Sequence, residues 1–300
     1  MSETGKFDYW TAFSRNLGWV TAEEQRQLRN KRIAIAGLGG VGGFHLLTLA
    51  RLGIGAFTLA EFDSFELANF NRQVGATVPS LGRPKLEVMI EMARDINPEL
   101  RLRVFPKGVS PDNVADFLTG VDLYVDGLDF FAFDARERTF AACHAAGVPA
   151  ITTAPIGMGV ALLNFVPGGM SFEEYFGLDG VAESEKSVRF LVGLSPAMLQ
   201  RGYLVDSSYV EFAQARGPST AMACQLCAGV AATEALKILL KRGKVYAAPV
   251  GLQFDAYRNM FKRTWRPWGN RNPLQRITIA IARRQFAATG RTAVQASTPR

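Results

Sequence analysis

The stretch Arg32-Ile33-Ala34-Ile35-Ala36-Gly37-Leu38-Gly39-Gly40-Val41-Gly42-Gly43 decides the fold of this 300-residue chain. Its first half is a short apolar run that predicts a buried strand over 32–37. Its second half, with Gly37, Gly39, Gly40 and Gly42, predicts a tight turn opening a helix over 41–53. A turn without Cβ atoms lets backbone N–H groups approach a phosphate, and the helix N-terminus supplies a field that favours it. Glu61 stands 24 residues beyond Gly37, at the end of the next predicted strand. Dinucleotide folds set an acidic residue there on a ribose hydroxyl. The loop says nucleotide, without choosing between NAD, FAD and ATP. Glycines for close helix–strand packing alone are the plain alternative.

Outward from this loop, short apolar runs alternate with helical patterns. That is the signature of βαβ units and a mainly parallel, Rossmann-like α/β sheet with helices on both faces. Strands are predicted at 32–37, 56–62, 101–106, 122–128 and 149–154, and helices near 41–53, 83–96, 111–119 and 133–146. Residues 158–166 follow a Pro-Ile-Gly turn and predict an antiparallel extension of the sheet. Residues 168–217 read as a long segment crossing over the sheet. A long buried helix closed by Gly243 is predicted over 218–240, and a last strand over 250–257. The division that follows has an N-terminal helical arm (1–30), a nucleotide-binding core (31–167) and the crossing segment (168–217). A helix and strand completing the same domain (218–257) and a basic C-terminal stretch (258–300) follow. The last stretch carries much of the net charge of +7 and reads as a solvated tail. Contact with nucleic acid or an acidic protein is the alternative.

A hydrophobic content of 48% suffices for one large α/β core. No uninterrupted apolar run of about 18 residues marks a membrane span. The first thirty residues lack the apolar centre of an export signal, so a cytoplasmic setting without membrane contact is expected. Three cysteines, Cys143, Cys224 and Cys227, are too few for a disulfide framework. Cys224-x-x-Cys227 is half of a zinc site with no second half, so packing thiols and no structural zinc are expected. His45 and His144 have no visible partner and are assigned no role.

The choice of nucleotide comes from residues that hydride transfer has no reason to carry. They are Asn69-Phe70-Asn71-Arg72-Gln73 after the second strand, Lys85 opening the next helix, and Asp126-Gly127-Leu128-Asp129 ending the fourth strand. The ordered run LAEFDSFELANFNRQ, G-R-P-K at 82–85, INP at 96–98 and VDGLD resembles the adenylating domain of the ThiF/MoeB/HesA family, bacterial relatives of ubiquitin-activating enzymes. The resemblance is collinear over 15–129 and looser through TTAPIGMGV and the 218–240 helix. It implies ATP and Mg²⁺ as cofactors and transfer of AMP to a carboxylate. That reaction brings two anions together, which calls for cations around the phosphates and groups held in line. By the resemblance, Arg72 and Lys85 contact the phosphates, Asn69 and Gln73 help to position them, Asp63 assists near the nucleotide, and Asp129 holds Mg²⁺. It also implies a homodimer in which Arg15 reaches into the partner's site.

The chain departs from the family pattern in places. Glu61 stands for the usual Asp, Phe130-Phe131 follow the metal-binding Asp where Asn is common, and Asp134 occupies the approximate place of an Arg. Thioester-forming relatives use a cysteine in the crossing segment, and 168–217 contains none, so the chain resembles the adenylate-only members. The expected acceptor is the C-terminal carboxylate of a small ubiquitin-like or sulfur-carrier protein. The alternative is a carboxylate borne on tRNA. VGGFHLLTLARLGIGAFTLAEFDSFELANFNRQ and SPDNVADFL at 110–118 are also similar to the TcdA-type enzymes, which dehydrate threonylcarbamoyl-adenosine in tRNA. An NAD-binding Rossmann protein is the third reading, and it leaves Arg72, Lys85 and Asp129 without work.

Overall fold

A computed structural model of the chain describes residues 6–211, 214 and 216–296, with 286–296 described by backbone alone. Two short helices come first, α1 (Tyr9–Ala12) and α2 (Ala22–Asn30). A capping box opens α2, with Thr21 and Glu24 each satisfying the other's backbone N–H. The arm is folded down rather than free: the buried Tyr9 donates its hydroxyl to Gly53 O at 2.6 Å.

The βαβ series then runs β1 (Arg32–Ala36), α3 (Gly42–Arg51), β2 (Ala56–Ala60), α4 (Lys85–Ile96), β3 (Arg101–Phe105), α5 (Val114–Leu118), β4 (Leu123–Asp126), α6 (Phe133–Ala146) and β5 (Ala150–Ile156). β6 (Gly159–Phe165), α7 (Phe172–Phe176), α8 (Glu183–Leu194), α9 (Ala221–Leu239), β7 (Val250–Asp255), β8 (Met260–Trp265) and α10 (Pro273–Ala296) complete it. One sheet of eight strands has the order β3-β2-β1-β4-β5-β6-β7-β8. The first five are parallel, and β6, β7 and β8 extend the sheet antiparallel. Ile33, Ile35, Phe57, Leu59, Leu123 and Val125 are fully buried. Strands covered on both faces must be apolar on both, which is why β1, β2 and β4 read as continuous runs. One face carries α3, α4 and α9 over an aliphatic core, and the other carries α5 to α8 over a core rich in phenylalanine. This is the expected fold class.

One expectation is corrected, and the crossing segment gains detail. Within it α7 begins at a Ser171–Glu174 capping box and α8 buries Val188, Phe190, Val192 and Leu194. Phe172 stacks on Phe140 at 4.5 Å, a partner too distant in sequence for local periodicity to reveal. The basic stretch is not a solvated tail through residue 285. β8 pairs with β7, and Ile279 and Ala282 of α10 pack on Val188 and Val192 of α8. The charges of this stretch occupy exposed positions of an edge strand and a half-buried helix. Residues 1–5 of the arm and 297–300 of the basic stretch lie outside the described residues. Among the described residues α9 alone is long and apolar enough to cross a membrane, and here Ala223, Cys227, Ala231 and Ala235 bury it against the sheet.

Candidate functional site

Strand order reverses between β1 and β4, and such a reversal opens a crevice beyond the C-terminal ends of the two strands. The glycine loop leaves β1 there and Gly127 leaves β4. Gly37 has φ +83°, and a Cβ on it would strike Gly127 O, while a Cβ on Gly42 would strike Gly37 O. Gly37 and Gly42 are therefore bare for backbone packing. Gly39 and Gly40 are different. A Cβ there would meet nothing nearer than Gln73 Nε2 at 3.5 Å and Cys224 Sγ at 3.4 Å, both ordinary contacts. Their backbone lines the cleft, the arrangement of an anion cradle at the start of α3.

Glu61 braces this cradle. Its Oε2 accepts from Leu38 N–H at 2.7 Å, and its Oε1 from Phe62 N–H at 2.8 Å and Asp63 N–H at 2.9 Å. The carboxylate expected on a ribose thus first ties the loop to the end of β2, and only its remaining lone pairs are open to a sugar hydroxyl.

A cavity of about 1390 Å³ brings Glu61, Asp63, Arg72, Gln73, Lys85 and Asp129 together with Gly37, Gly39 and Gly40. Arg72 lies along the loop, its Cγ 3.8 Å from where a Gly40 Cβ would stand, and its Nη1 donates to Ala68 O and Asn71 Oδ1. Lys85 is 6% exposed and its Nζ stands 3.2 Å from Asp63 Oδ2, so this buried ammonium is paired with a carboxylate that is itself half exposed. Gln73 is buried, and its Oε1 has no hydrogen-bond partner among the described residues. An orphaned buried amide oxygen costs about 1–3 kcal/mol, so this one marks where a ligand donor would be welcome. The bare cradle, the two cations and the orphaned amide fit a nucleotide's phosphates and polar edges.

Three expected residues stand elsewhere. Asn69 does not line the cavity: its Oδ1 accepts from Glu66 N–H at 3.0 Å, and its carbonyl accepts from the N–H groups of Arg72 and Gln73. It shapes the turn that carries those two. Gly42 is a packing glycine. Arg15, on the turn Ser14–Asn16, lines a separate hollow with Arg51 and Asp95, away from the cradle of its own chain.

Arg136 is the residue that sequence reading missed. From α6 its Nε donates to Asp126 Oδ2 at 2.9 Å, its Nη2 to Leu128 O at 2.8 Å and Asp129 O at 2.9 Å, and its Nη1 to Phe130 O at 3.1 Å. The guanidinium also lies 4.7 Å from the Phe190 ring centroid. Asp126 Oδ2 accepts as well from Thr152 Oγ1 at 2.9 Å. A buried, fully engaged ion pair therefore holds the loop that presents the exposed Asp129, whose Oδ1 accepts from Phe131 N–H at 3.0 Å. Asp134, standing where an Arg was expected, pairs instead with Lys186 at the rim, at 3.5 Å. The only sequence sign of Arg136 was its inward register on α6.

No group of three or more His, Cys, Asp or Glu side chains able to hold a metal occurs among the described residues. Mg²⁺ beside Asp129 would take phosphate oxygens and water as its other ligands, its usual habit in nucleotide sites. Cys224 and Cys227 pack beside Val41 and Val160, and burial pushes both thiols up, away from the reactive thiolate form. Cys143 is likewise buried, in the aromatic core. His45 is fully buried with Nε2 3.2 Å from Thr153 Oγ1, and burial holds it down to about 4.

Fold and cleft define a doubly wound α/β protein with a glycine-loop cradle opening into a cavity at its switch point. The chain belongs to the ThiF family, whose description matches residues 13–276. The tRNA threonylcarbamoyladenosine dehydratase of Escherichia coli is 39% identical over 152 residues, 50% of this chain and 56% of that protein. The sulfur carrier protein ThiS adenylyltransferase of the same organism is 30% identical over 148 residues, 49% of this chain and 58% of that protein. The matched part thus spans little more than half the length of these relatives. Among solved structures, E. coli TcdA in complex with AMP superposes with a TM-score of 0.56 at 26% identity, covering 77% of this chain and 95% of that one.

Proposed function

We propose that this protein is an ATP-dependent adenylyltransferase that activates a carboxylate as its acyl-adenylate. The observation that carries the reading is the convergence of Gly39, Gly40, Arg72, Lys85 and Asp129 on one cavity. The backbone N–H groups of the loop receive the phosphates, and Arg72 and Lys85 offset the charge that spreads over them in the transition state. Gln73 offers its unpaired Oε1 to the nucleotide. Asp129, with the phosphates, would hold Mg²⁺, which supplies further charge compensation when bound. Such groups lower the barrier by being held in place beforehand, and the Asp126–Arg136 pair does this for Asp129.

The AMP complex of a relative at 26% identity supports an adenine nucleotide. A purely NAD-binding protein would leave Arg72, Lys85 and Asp129 idle. The acceptor classes that the relatives suggest are the C-terminus of a sulfur-carrier or ubiquitin-like protein and a carboxylate on tRNA. The tRNA reading is favoured by the higher identity and by the exposed cations Lys262 and Arg263 on β8. A cytoplasmic homodimer in which Arg15 completes the partner's site belongs to the same proposal, since Arg15 cannot serve the cradle of its own chain.

ATP–pyrophosphate exchange across these acceptors, with calorimetry of ATP–Mg²⁺ against NAD, tests the reading. Exchange with one acceptor and binding of ATP are expected. Tight binding of NAD with none of ATP would end it.

A further inference from the structure

Positive charge gathers at the last edge of the sheet. Residues 241–276, all of them described, hold nine lysines and arginines and a single acid, Asp255. That carboxylate is buried and already accepts from the Tyr203 hydroxyl at 2.7 Å and Arg258 N–H at 2.9 Å. Arg242 is matched from outside the segment by Glu24. The segment forms β7, β8 and their connections, and β8 is the outermost strand. Cations alone are the ordinary protection of an edge strand against pairing with another chain. Exposed rings are not, and β8 carries two, Phe261 at 61% and Trp265 at 66% exposure.

Side chains alternate along a strand, so Phe261, Arg263 and Trp265 share one face, the rings about 13 Å apart with the guanidinium between them. Arg263 lies 5.0 Å from the Tyr246 ring centroid, and the Lys244 ammonium 4.9 Å from the same ring. Rings and cations therefore alternate over an open face. This face leads to the cavity. Tyr257, in the turn between β7 and β8, is exposed, and its ring centroid is 4.5 Å from that of Tyr203, which lines the cavity. Arg258 donates from Nη1 to Leu199 O at 3.2 Å and ties the same turn to the crossing segment.

We propose that the open face of β8 binds an unpaired, single-stranded stretch of RNA and so brings the carboxylate borne on that RNA to the cavity. Bases lie on Phe261 and Trp265, and phosphates meet Arg263 and Lys244. Any base can cover an exposed ring with its own π-face, whereas a duplex keeps those faces inside its stack. An acidic protein would answer the cations, but flat rings spaced between cations match the alternation of base and phosphate along a single strand. The proposal rests on the tRNA arm of the adenylylation reading and deepens it, naming the surface and the form of RNA it takes.

The test uses the full chain and three probes: an RNA stem-loop with an open loop, a blunt RNA duplex of equal length, and an acidic sulfur-carrier protein. Each is titrated by fluorescence anisotropy over a range of salt, with calorimetry of ATP–Mg²⁺ alongside. The stem-loop is expected to bind about 10-fold or more tighter than the duplex. Phe261→Ala and Trp265→Ala should each weaken stem-loop binding about 10-fold and leave its salt slope unchanged, while Arg263→Ala lowers that slope by about 0.7. Both rings are exposed, so urea unfolding of these variants should match wild type, and Trp265→Phe should recover most of the affinity. Equal binding of duplex and stem-loop, wild-type RNA binding by both ring variants, or binding of the carrier protein alone overturns the surface and leaves ATP use standing. The expected RNA binding without any ATP binding overturns adenylylation and upholds the surface.

Discussion

Arg136 and Asp126 form a buried ion pair, Nε to Oδ2 at 2.9 Å with each side chain 3% exposed, directly behind the loop that presents Asp129. Removing one partner strands the other as an uncompensated charge, which costs about 3–5 kcal/mol in such settings. Arg136→Met is expected to lower the unfolding free energy measured in urea by that much and to free 128–131, depressing ATP–pyrophosphate exchange. Arg136→Lys keeps a cation but not the planar fork that serves three carbonyls, and should fall between. A wild-type urea midpoint for Arg136→Met would contradict this.

The glycines of the loop divide by what a methyl group would meet. Gly42→Ala drives a Cβ into Gly37 O and is expected to unfold or severely destabilise the chain. Gly39→Ala meets only Gln73 Nε2 at 3.5 Å, so thermal unfolding should stay near wild type. Its methyl would instead project where a phosphate must approach, and ATP affinity should drop roughly 10-fold or more, read by calorimetry. Equal behaviour of the two variants would remove the distinction between packing glycine and cradle glycine.

Lys85 and Arg15 test the proposed division of labour between protomers. Lys85→Met removes a buried cation from the cavity wall and is expected to cut exchange by about 100-fold or more. Arg15→Ala alone should also lose exchange. If Arg15 acts across a two-fold dimer, mixing the two dead variants rebuilds complete sites in mixed dimers, up to roughly a quarter of all sites. No recovery on mixing, with mixed dimers verified, would withdraw Arg15.

His45 makes stability depend on pH. Its ring is buried and neutral, at about 4 in the fold against 6.5 for the free side chain, because burial disfavours the charged form. Between these values the unfolded chain binds a proton that the native state does not. Stability is therefore full above about 6.5 and falls as pH drops toward 4, by on the order of 3 kcal/mol. His45→Gln should flatten that part of the urea-midpoint profile, and an unchanged slope would show that other groups set it.

The parts of the fold that were legible share one property: each is specified by residues close in sequence. β1 and its glycine loop, the alternation through β5, and the antiparallel β6 follow from short runs whose burial on both faces leaves no freedom in composition. The candidates Arg72, Lys85, Asp63, Gln73 and Asp129 do line one cavity with Gly37, Gly39 and Gly40. α7, α8, β8 and α10 were not legible, because Phe172, Phe190 and Ile279 find their partners in Phe140, Arg136 and Val188, far along the chain. A charged run such as that around Lys262 and Arg263 looks solvated until a neighbouring strand takes its backbone hydrogen bonds.

Local sequence determined that a strand must end in a bare turn at Gly37, that cations and one carboxylate would follow at set intervals, and hence the family. Tertiary structure alone decided that Glu61 braces the loop, that Asn69 shapes a turn rather than meeting a ligand, and that Arg136 holds the loop before Asp129. The physical reason is that a backbone conformation is chosen by neighbours in sequence. The partner of a buried charge is chosen by whatever the finished sheet brings within about 3 Å of it.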